Sequence, residues 1–141
     1  MPTVFTKIID GQLPARFVHT DGLAVAFLST APLTAGHTLV VPRAEVDQWT
    51  DADEPLLHHC LSVARRIGNA AKQAYGAPRA GLVIAGMEVP HMHIHVFPTW
   101  TLEDFDFTRA KQASDTELDQ AAARLRTALA AADPRLPGDM T

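Results

Sequence analysis

The sequence has only one cysteine, Cys60, among its 141 residues, so no disulfide can form within the chain. Proteins without disulfides are typical of reducing compartments. The sequence also lacks any apolar run close to the roughly 20 residues that a membrane-spanning helix needs. Residues 1–7 lack the long apolar core of a signal peptide. We therefore expect a cytoplasmic protein that has no membrane partner.

Positive charge is scarce as well. Lys and Arg number 12 against 16 Asp and Glu, which gives a net charge of −4. Because non-specific nucleic-acid binding usually depends on a basic face, we expect no nucleic-acid partner. This charge balance is still compatible with a single nucleotide bound in a local pocket.

Internal repeats, low-complexity tracts and interdomain linkers are absent from the sequence too. Hydrophobic residues make up 47% of the chain and charged residues 20%, which is close to the composition of globular proteins and excludes wholesale disorder. The length is sufficient for one hydrophobic core and too short for two. We expect a single domain over residues 1–141.

The apolar pattern predicts three strands in the first part of the chain, after a short helical segment near its start. The pair Asp21-Gly22 separates two apolar runs, 16–20 and 23–28, which is a strong signal for a β-hairpin. Residues 38–41 form a third apolar run and are predicted as the third strand.

A long helix is predicted next, because apolar residues between positions 57 and 74 recur at helical spacing. Asp51 and Glu54 stand three apart ahead of this stripe and predict a capping box. Gly76 follows the last apolar position and predicts the end of the helix.

Two strands and a C-terminal helix complete the predicted order. The strands cover residues 81–85 and 92–97, and the helix covers 114–133, with Ser114 and Glu117 as its capping box. Hairpins joined by one helical crossover are typical of the α+β class. We predict a five-stranded antiparallel sheet with a long crossover helix and a C-terminal helix.

Three of the seven histidines, His91, His93 and His95, alternate along the last predicted strand. Side chains alternate between the two faces of a strand, so the histidines share one face while Met92 and Ile94 share the other. The apolar face is expected to pack on the core. We expect the histidine face to open on a cavity or solvent, because buried imidazoles need polar partners.

Such a pattern allows more than one chemistry. Along a strand, His91 and His95 lie about 13 Å apart, so all three rings cannot converge on one zinc ion. Two of them with a remote ligand such as His37 could still bind zinc. Alternatively, a neutral imidazole has a free nitrogen lone pair near pH 7 and can attack an electrophile. A neutral nucleophile suits phosphorus, because phosphate oxygens repel anions. The least specific alternative is that the three rings simply occupy an exposed strand face.

Residues 91–97 read His-Met-His-Ile-His-Val-Phe and are followed by Pro98. This stretch resembles the signature of the histidine triad family, in which histidines alternate with apolar residues. Residues 5–15, 26–28 and 32–42 resemble further segments of that family in the same order. The resemblance, strongest to short bacterial members of the Hint-like branch, implies an α+β HIT-like fold and a homodimer.

In that family the middle histidine is the nucleophile that forms a covalent nucleotidyl-histidine, which here implies His93. The third, His95, would assist departure of the leaving group. The first, His91, would orient the nucleophile, and His37 matches an additional histidine beside the triad. The resemblance implies no metal or other cofactor for this reaction. Thr3 and Thr6 occupy positions at which some bacterial members carry a zinc-binding cysteine pair.

The resemblance also implies which residues contact the nucleotide. The main-chain N–H of Val89 aligns with a phosphate contact, and Ser29 stands where many members carry an aspartate that binds both ribose hydroxyls. Glu88 brings a negative charge towards the expected phosphate site. The apolar nucleoside pocket would be formed by Val4, Phe5, Ile8, Leu13, Phe27 and Leu28.

These features predict a phosphoramidase-like nucleoside monophosphate hydrolase or transferase whose substrate is a purine nucleotide or a nucleoside phosphoramidate. The alternatives are a dinucleoside polyphosphate hydrolase, a nucleotide-binding module with little catalysis and a metal-dependent hydrolase. The histidines outside the motif, His19, His58 and His59, are expected to be solvated.

Overall fold

The computed structural model describes residues 2–132 and confirms the predicted order of elements. No helix among these residues is long and apolar enough to cross a membrane. Part of the predicted C-terminal helix, Asp133, lies outside the described residues. The helices and strands are α1 (Val4–Ile9), β1 (Phe17–Thr20), β2 (Ala24–Leu28), β3 (Thr38–Pro42), α2 (Glu54–Tyr75), β4 (Arg79–Val83), β5 (Ile94–Thr99) and α3 (Asp115–Ala132).

The five strands form one antiparallel sheet in the order β1-β2-β3-β5-β4. Helices α2 and α3 pack on one face, where Ile67 and Leu125 are among the fully buried side chains. Helix α1 covers part of the other face, and its Phe5 packs there with Phe27 and Leu39. The sheet therefore separates a large core from a smaller apolar cluster, and the histidine face belongs to the smaller side.

Helix boundaries follow from side-chain caps. Helix α2 begins after Asp53, whose carboxylate accepts the Leu56 N–H at 2.9 Å. The predicted capping box from Asp51 is therefore wrong: Asp51 ends a separate turn of 3₁₀-helix, and the carboxylate nearer the helix caps it. Gly76 ends α2 as predicted, with a φ of 64° that favours glycine.

The capping box predicted for α3 is confirmed. The Ser114 hydroxyl accepts the Glu117 N–H at 3.1 Å, and the Glu117 carboxylate accepts the Ser114 N–H at 3.0 Å. These reciprocal bonds satisfy two N–H groups that the helix leaves free at its start.

The two strands nearest the histidine motif lie in slightly different places from those predicted. Strand β4 begins at Arg79, and β5 begins at Ile94 rather than at Met92. The Met92 N–H donates to the carbonyl of Val46, in the loop after β3, at 2.6 Å. Because this bond replaces a sheet hydrogen bond, His91 and His93 precede the strand and only His95 lies within it.

His19 was expected to be solvated, and that prediction is wrong. Its side chain is buried, and its Nε2 lies 2.5 Å from Oδ2 of Asp21. The same carboxylate oxygen lies 2.8 Å from Nε2 of His59, which is half-buried on α2. The other oxygen of Asp21 accepts the N–H groups of Leu23 and Ala24. One carboxylate thus ties the β1–β2 turn to α2.

Replacing Asp21 by asparagine should destabilise the fold by about 1–3 kcal/mol, since the half-buried carboxylate loses its charge and one of its two acceptor oxygens. Burial alone would raise the pKa of Asp21, but bonds from His19, Leu23, Ala24 and His59 hold its pKa well below its usual range. A carboxylate with a lowered pKa stabilises the fold above the unfolded-state pKa of about 3.9, and this contribution is lost as the pH falls. Urea unfolding of both proteins should therefore show a difference that shrinks from about pH 5 to pH 3. A difference that is constant over this range would contradict the role of the charge.

Candidate active site

The histidine motif lies against the smaller apolar cluster, beside α1. The Phe5 ring contacts two of its imidazoles, with centroids 5.7 Å from His91 and 4.9 Å from His93. The two histidine rings themselves are buried, with 0% and 6% of their surface exposed. The expectation of an open histidine face is therefore wrong for these two residues, because each ring has its own polar partners.

His91 is held between two hydrogen bonds. Its Nε2 lies 2.7 Å from the carbonyl oxygen of Pro42, at the end of β3. A carbonyl can only accept, so Nε2 carries the proton and Nδ1 has the lone pair. The Thr3 hydroxyl donates to this Nδ1 at 2.6 Å and also caps α1 by accepting the Thr6 N–H. Burial lowers the pKa of His91, which agrees with a neutral ring.

The His93 ring is oriented by the main chain of its own motif. Its Nδ1 lies 2.8 Å from the carbonyl oxygen of His91. Nδ1 must therefore donate, and Nε2 is left with the free lone pair. The ring stands between Phe5 and His95, the latter with a centroid distance of 5.0 Å. This arrangement fixes the ring through a backbone acceptor and leaves Nε2 as the nitrogen that can react.

The third histidine is oriented through His37. The main-chain N–H of Leu33 donates to Nδ1 of His37 at 2.9 Å, so the proton of His37 lies on Nε2. That Nε2 lies 3.0 Å from Nδ1 of His95 and donates to it. His95 consequently carries its own proton on Nε2, where it can be donated to a substrate.

Both members of this pair remain neutral well below pH 7. Burial, and then the neighbouring His95, lowers the pKa of His37 to about 3. Burial, and then the neighbouring His93, lowers the pKa of His95 to about 4. A neutral pair fits the hydrogen bonds, since a second proton on His37 would leave the Leu33 N–H without its acceptor.

Phe107 is a residue of the site that the sequence analysis did not identify. It begins a short turn of 3₁₀-helix after β5, and its ring meets that of His95 edge-on at 5.0 Å and 78°. The side chain remains 42% exposed. The only signal in the sequence is an aromatic residue in a polar segment, which does not indicate a contact with the motif.

A cavity of about 730 Å³ has Phe5 in its wall, and Phe5 separates it from His91 and His93, which do not line it. This volume falls within the range of small-molecule sites. Of the predicted nucleotide residues, Leu13 is exposed and does not line the cavity. Val89, predicted as a main-chain contact to phosphate, packs against the smaller apolar cluster and does not line the cavity either. The other predicted residues, Val4, Phe5, Ile8, Phe27, Leu28 and Ser29, do line it.

The cavity has a charged rim as well as an apolar floor. Arg16, Asp115 and Asp119 line it in addition to the predicted residues. Sequence reasoning missed them because the two aspartates lie about 100 positions from Arg16, at the start of α3. The Ser29 hydroxyl accepts the Ala31 N–H at 3.3 Å, so it also supports the turn after β2.

The residues at the positions of the zinc-binding cysteine pair do not fit zinc. Thr6 donates its hydroxyl to Glu45 at 2.5 Å, and the Thr3 N–H donates to the same carboxylate at 3.0 Å. Threonine hydroxyls are not among the usual zinc ligands, which are thiolates, imidazoles and carboxylates. Within residues 2–132, no group of three or more His, Cys, Asp or Glu side chains is arranged to hold a metal ion.

Solved structures share this fold. A histidine triad nucleotide-binding protein of Sulfolobus tokodaii superimposes with a TM-score of 0.82 and 27% identity, covering 97% of each chain. A zinc-bound histidine triad family protein of Mycobacterium smegmatis has a TM-score of 0.80 and 30% identity, covering 94% of this chain and 96% of its own.

Proteins with similar sequences indicate the same family. An uncharacterized HIT-like protein of Borreliella burgdorferi is 36% identical over 116 residues, which cover 77% of this chain and 84% of the relative. The adenosine 5′-monophosphoramidase of Saccharomyces cerevisiae is 26% identical over 117 residues, which cover 75% and 74%. The family model described as the HIT domain matches residues 10–102, well over half of the chain. The chain therefore belongs to the HIT family, the histidine triad family that its sequence resembles.

Proposed function

We propose that this protein is a phosphoramidase-like nucleoside monophosphate hydrolase or transferase that acts through a covalent nucleotidyl-His93. The observation that carries the proposal is the bond from Nδ1 of His93 to the His91 carbonyl. It leaves Nε2 as the nucleophile, next to the Phe5 wall of a cavity large enough for a nucleoside. The similarity to an adenosine 5′-monophosphoramidase supports a phosphoramidate substrate.

In the first step, Nε2 of His93 forms a bond to the α-phosphorus as the bond from phosphorus to the leaving nitrogen breaks. His95 donates the Nε2 proton to the departing amine. The positive charge that His93 acquires balances the negative charge left on the pair of His95 and His37. Main-chain N–H groups near Val89 would stabilise the developing charge on the phosphate oxygens.

In the second step, water attacks the phosphorus and the bond to Nε2 of His93 breaks. His95 now accepts the proton of the water, so both histidines return to their initial states. The product is a nucleoside monophosphate. A transferase reaction differs only in the acceptor, which replaces water.

The covalent step can be tested by intact-mass analysis. The protein is mixed with adenosine 5′-phosphoramidate and quenched in mild base, in which a phosphorus–histidine bond tends to survive. We expect a mass gain of one adenylyl group in the wild-type protein and none in a His93→Ala variant. Adenosine monophosphate formed without any adduct, or an adduct that persists in the variant, would contradict the mechanism.

The same samples distinguish the alternative functions. Faster turnover of a diadenosine polyphosphate than of the phosphoramidate would favour a dinucleoside polyphosphate hydrolase. Binding of adenosine monophosphate in calorimetry, with neither adduct nor product, would favour a nucleotide-binding module. Loss of activity on adding a chelator would favour a metal-dependent hydrolase.

We also propose a homodimer, as the family resemblance implies. Strand β4 lies at the edge of the sheet and pairs with β5 on one side only among the described residues. Leu82 on β4 and Leu61 on α2 line a groove at this edge, and both are exposed, at 47% and 37%. Light scattering should give a dimer mass for the wild-type protein and a monomer mass for Leu82→Lys. A monomeric wild-type protein would contradict the proposal.

A further inference from the structure

The cavity shares Phe5 with the histidine motif, and it runs from there past the end of β2 to the start of α3 without being lined by any histidine. His95 lies on β5, and the strands that follow in the sheet are β3, β2 and β1. Neighbouring strands lie about 4.8 Å apart, so β1 is about 14 Å from β5. Arg16 directly precedes β1, and its carbonyl accepts the Leu28 N–H. Its guanidinium bonds to two carboxylates near the start of α3, so it lies at the α3 end of the cavity.

A nucleotide is built in the order phosphate, ribose, base. With phosphorus at Nε2 of His93, the family resemblance implies that the ribose lies at Ser29, which follows the end of β2 and lines the cavity. The base then reaches the far end of the cavity, between α1 and Arg16. Groups at that end are placed to contact the polar edge of a base rather than the ribose hydroxyls.

Two carboxylates hold Arg16 at this position. Its Nε lies 2.7 Å from Oδ1 of Asp119, and its Nη2 lies 3.1 Å from Oδ1 of Asp115. These bonds leave the two N–H groups of Nη1 for another acceptor. The side chain of Arg16 is 27% exposed, whereas those of Asp119 and Asp115 are 69% and 93% exposed. Both carboxylates line the cavity, and Asp119 is the less exposed of the two.

We propose that Arg16 and Asp119 select guanine over adenine, which makes guanosine 5′-phosphoramidates the preferred substrates; this inference rests on the function proposed above. Guanine presents the donors N1–H and N2–H₂, which one carboxylate can accept together, and the acceptors O6 and N7, which suit a guanidinium. Adenine has no N1–H and presents a single amino donor beside acceptor nitrogens. A carboxylate next to a guanidinium therefore matches guanine at more atoms than adenine.

The test compares kcat/KM for guanosine and adenosine 5′-phosphoramidates with the same amine leaving group. The wild-type protein should prefer the guanosine substrate by about tenfold, the effect of one well-placed bidentate contact. Asp119→Asn and Arg16→Gln should each bring the ratio close to one. Asp51→Asn is the matched control: Asp51 lies on the turn of 3₁₀-helix before α2, outside the cavity, and this variant should keep the preference.

Several outcomes would overturn the inference. A wild-type ratio near one, or in favour of adenosine, contradicts it directly. An equal loss for both substrates in Asp119→Asn would show that the carboxylate binds ribose or phosphate instead. Loss of the preference in Asp51→Asn as well would contradict its assignment to Arg16 and Asp119.

The inference and the proposed function fail in different ways. If the adduct at His93 forms equally with both substrates, the mechanism stands and the base preference does not. If neither substrate is turned over, calorimetry with guanosine and adenosine monophosphates measures the preference without catalysis. Tighter binding of the guanosine nucleotide, lost in Asp119→Asn, would support the inference, and equal or no binding would reject it.

Discussion

Replacing His93 by glycine should lower kcat/KM for a nucleoside phosphoramidate by at least about 10⁴-fold, the usual cost of removing a nucleophile. The reason is that no other group in the site has a free imidazole lone pair fixed in the same way. The lone pair of His91 is on Nδ1, which accepts from Thr3, and Nδ1 of His95 accepts from His37. Steady-state kinetics on the purified variant, with thermal unfolding measured in parallel, checks this prediction.

Adding free imidazole to the His93→Gly variant gives a more specific test of the nucleophile. The missing ring leaves space between Phe5 and His95, and a free imidazole there can donate to the His91 carbonyl as the native ring does. We expect imidazole to restore part of the activity of the glycine variant. His58→Ala, on the exposed side of α2, is the control and should keep wild-type activity. A glycine variant with nearly full activity would contradict the role of His93.

Replacing His37 by leucine should lower kcat by about 100-fold when the leaving group is an alkyl amine, because general-acid catalysis contributes 10²–10⁴-fold. Without the donor at Nε2 of His37, the proton of His95 can move to its Nδ1. The nitrogen facing the substrate would then lack a proton. Single-turnover kinetics with adenosine alkylphosphoramidates measures the effect.

Two comparisons separate this role from simple packing. A nitrophenolate leaves without a proton, so His37→Leu should have a much smaller effect on a nitrophenyl ester than on an alkyl amine. His37→Gln should recover much of the activity, since its amide can accept from Leu33 and donate to His95. Equal losses with both leaving groups would contradict the proton relay.

The fold was largely predictable because its signals are local. Helical spacing and the Ser114–Glu117 capping box gave α2 and α3, and the Asp21-Gly22 pair gave the first hairpin. The start of β5 was not predictable, because it depends on a hydrogen bond between Met92 and the distant Val46. The burial of His19 depends similarly on Asp21 meeting α2 in three dimensions.

The candidate site was predictable only in part. Alternation placed the three histidines on one side of the chain, and the family resemblance added His37. The partners that decide where each proton lies are distant in sequence and are mostly main-chain atoms, such as the carbonyl of Pro42 and the N–H of Leu33. A backbone carbonyl has no residue type to recognise in a sequence. Phe107 was missed for a related reason, since nothing local connects it to His95.

Because the catalytic histidines have main-chain hydrogen-bond partners, changes of side chain at these partner residues have little effect on the histidine tautomers. The groups that fix the histidine tautomers include the carbonyls of Pro42 and His91 and the N–H of Leu33. A change of side chain at Leu33 leaves that N–H in place, and only a substitution that displaces the backbone removes it. At the other end of the cavity, every polar contact comes from a side chain that a single codon change can replace. Descendants of this sequence could therefore acquire new substrates without altering the reaction itself.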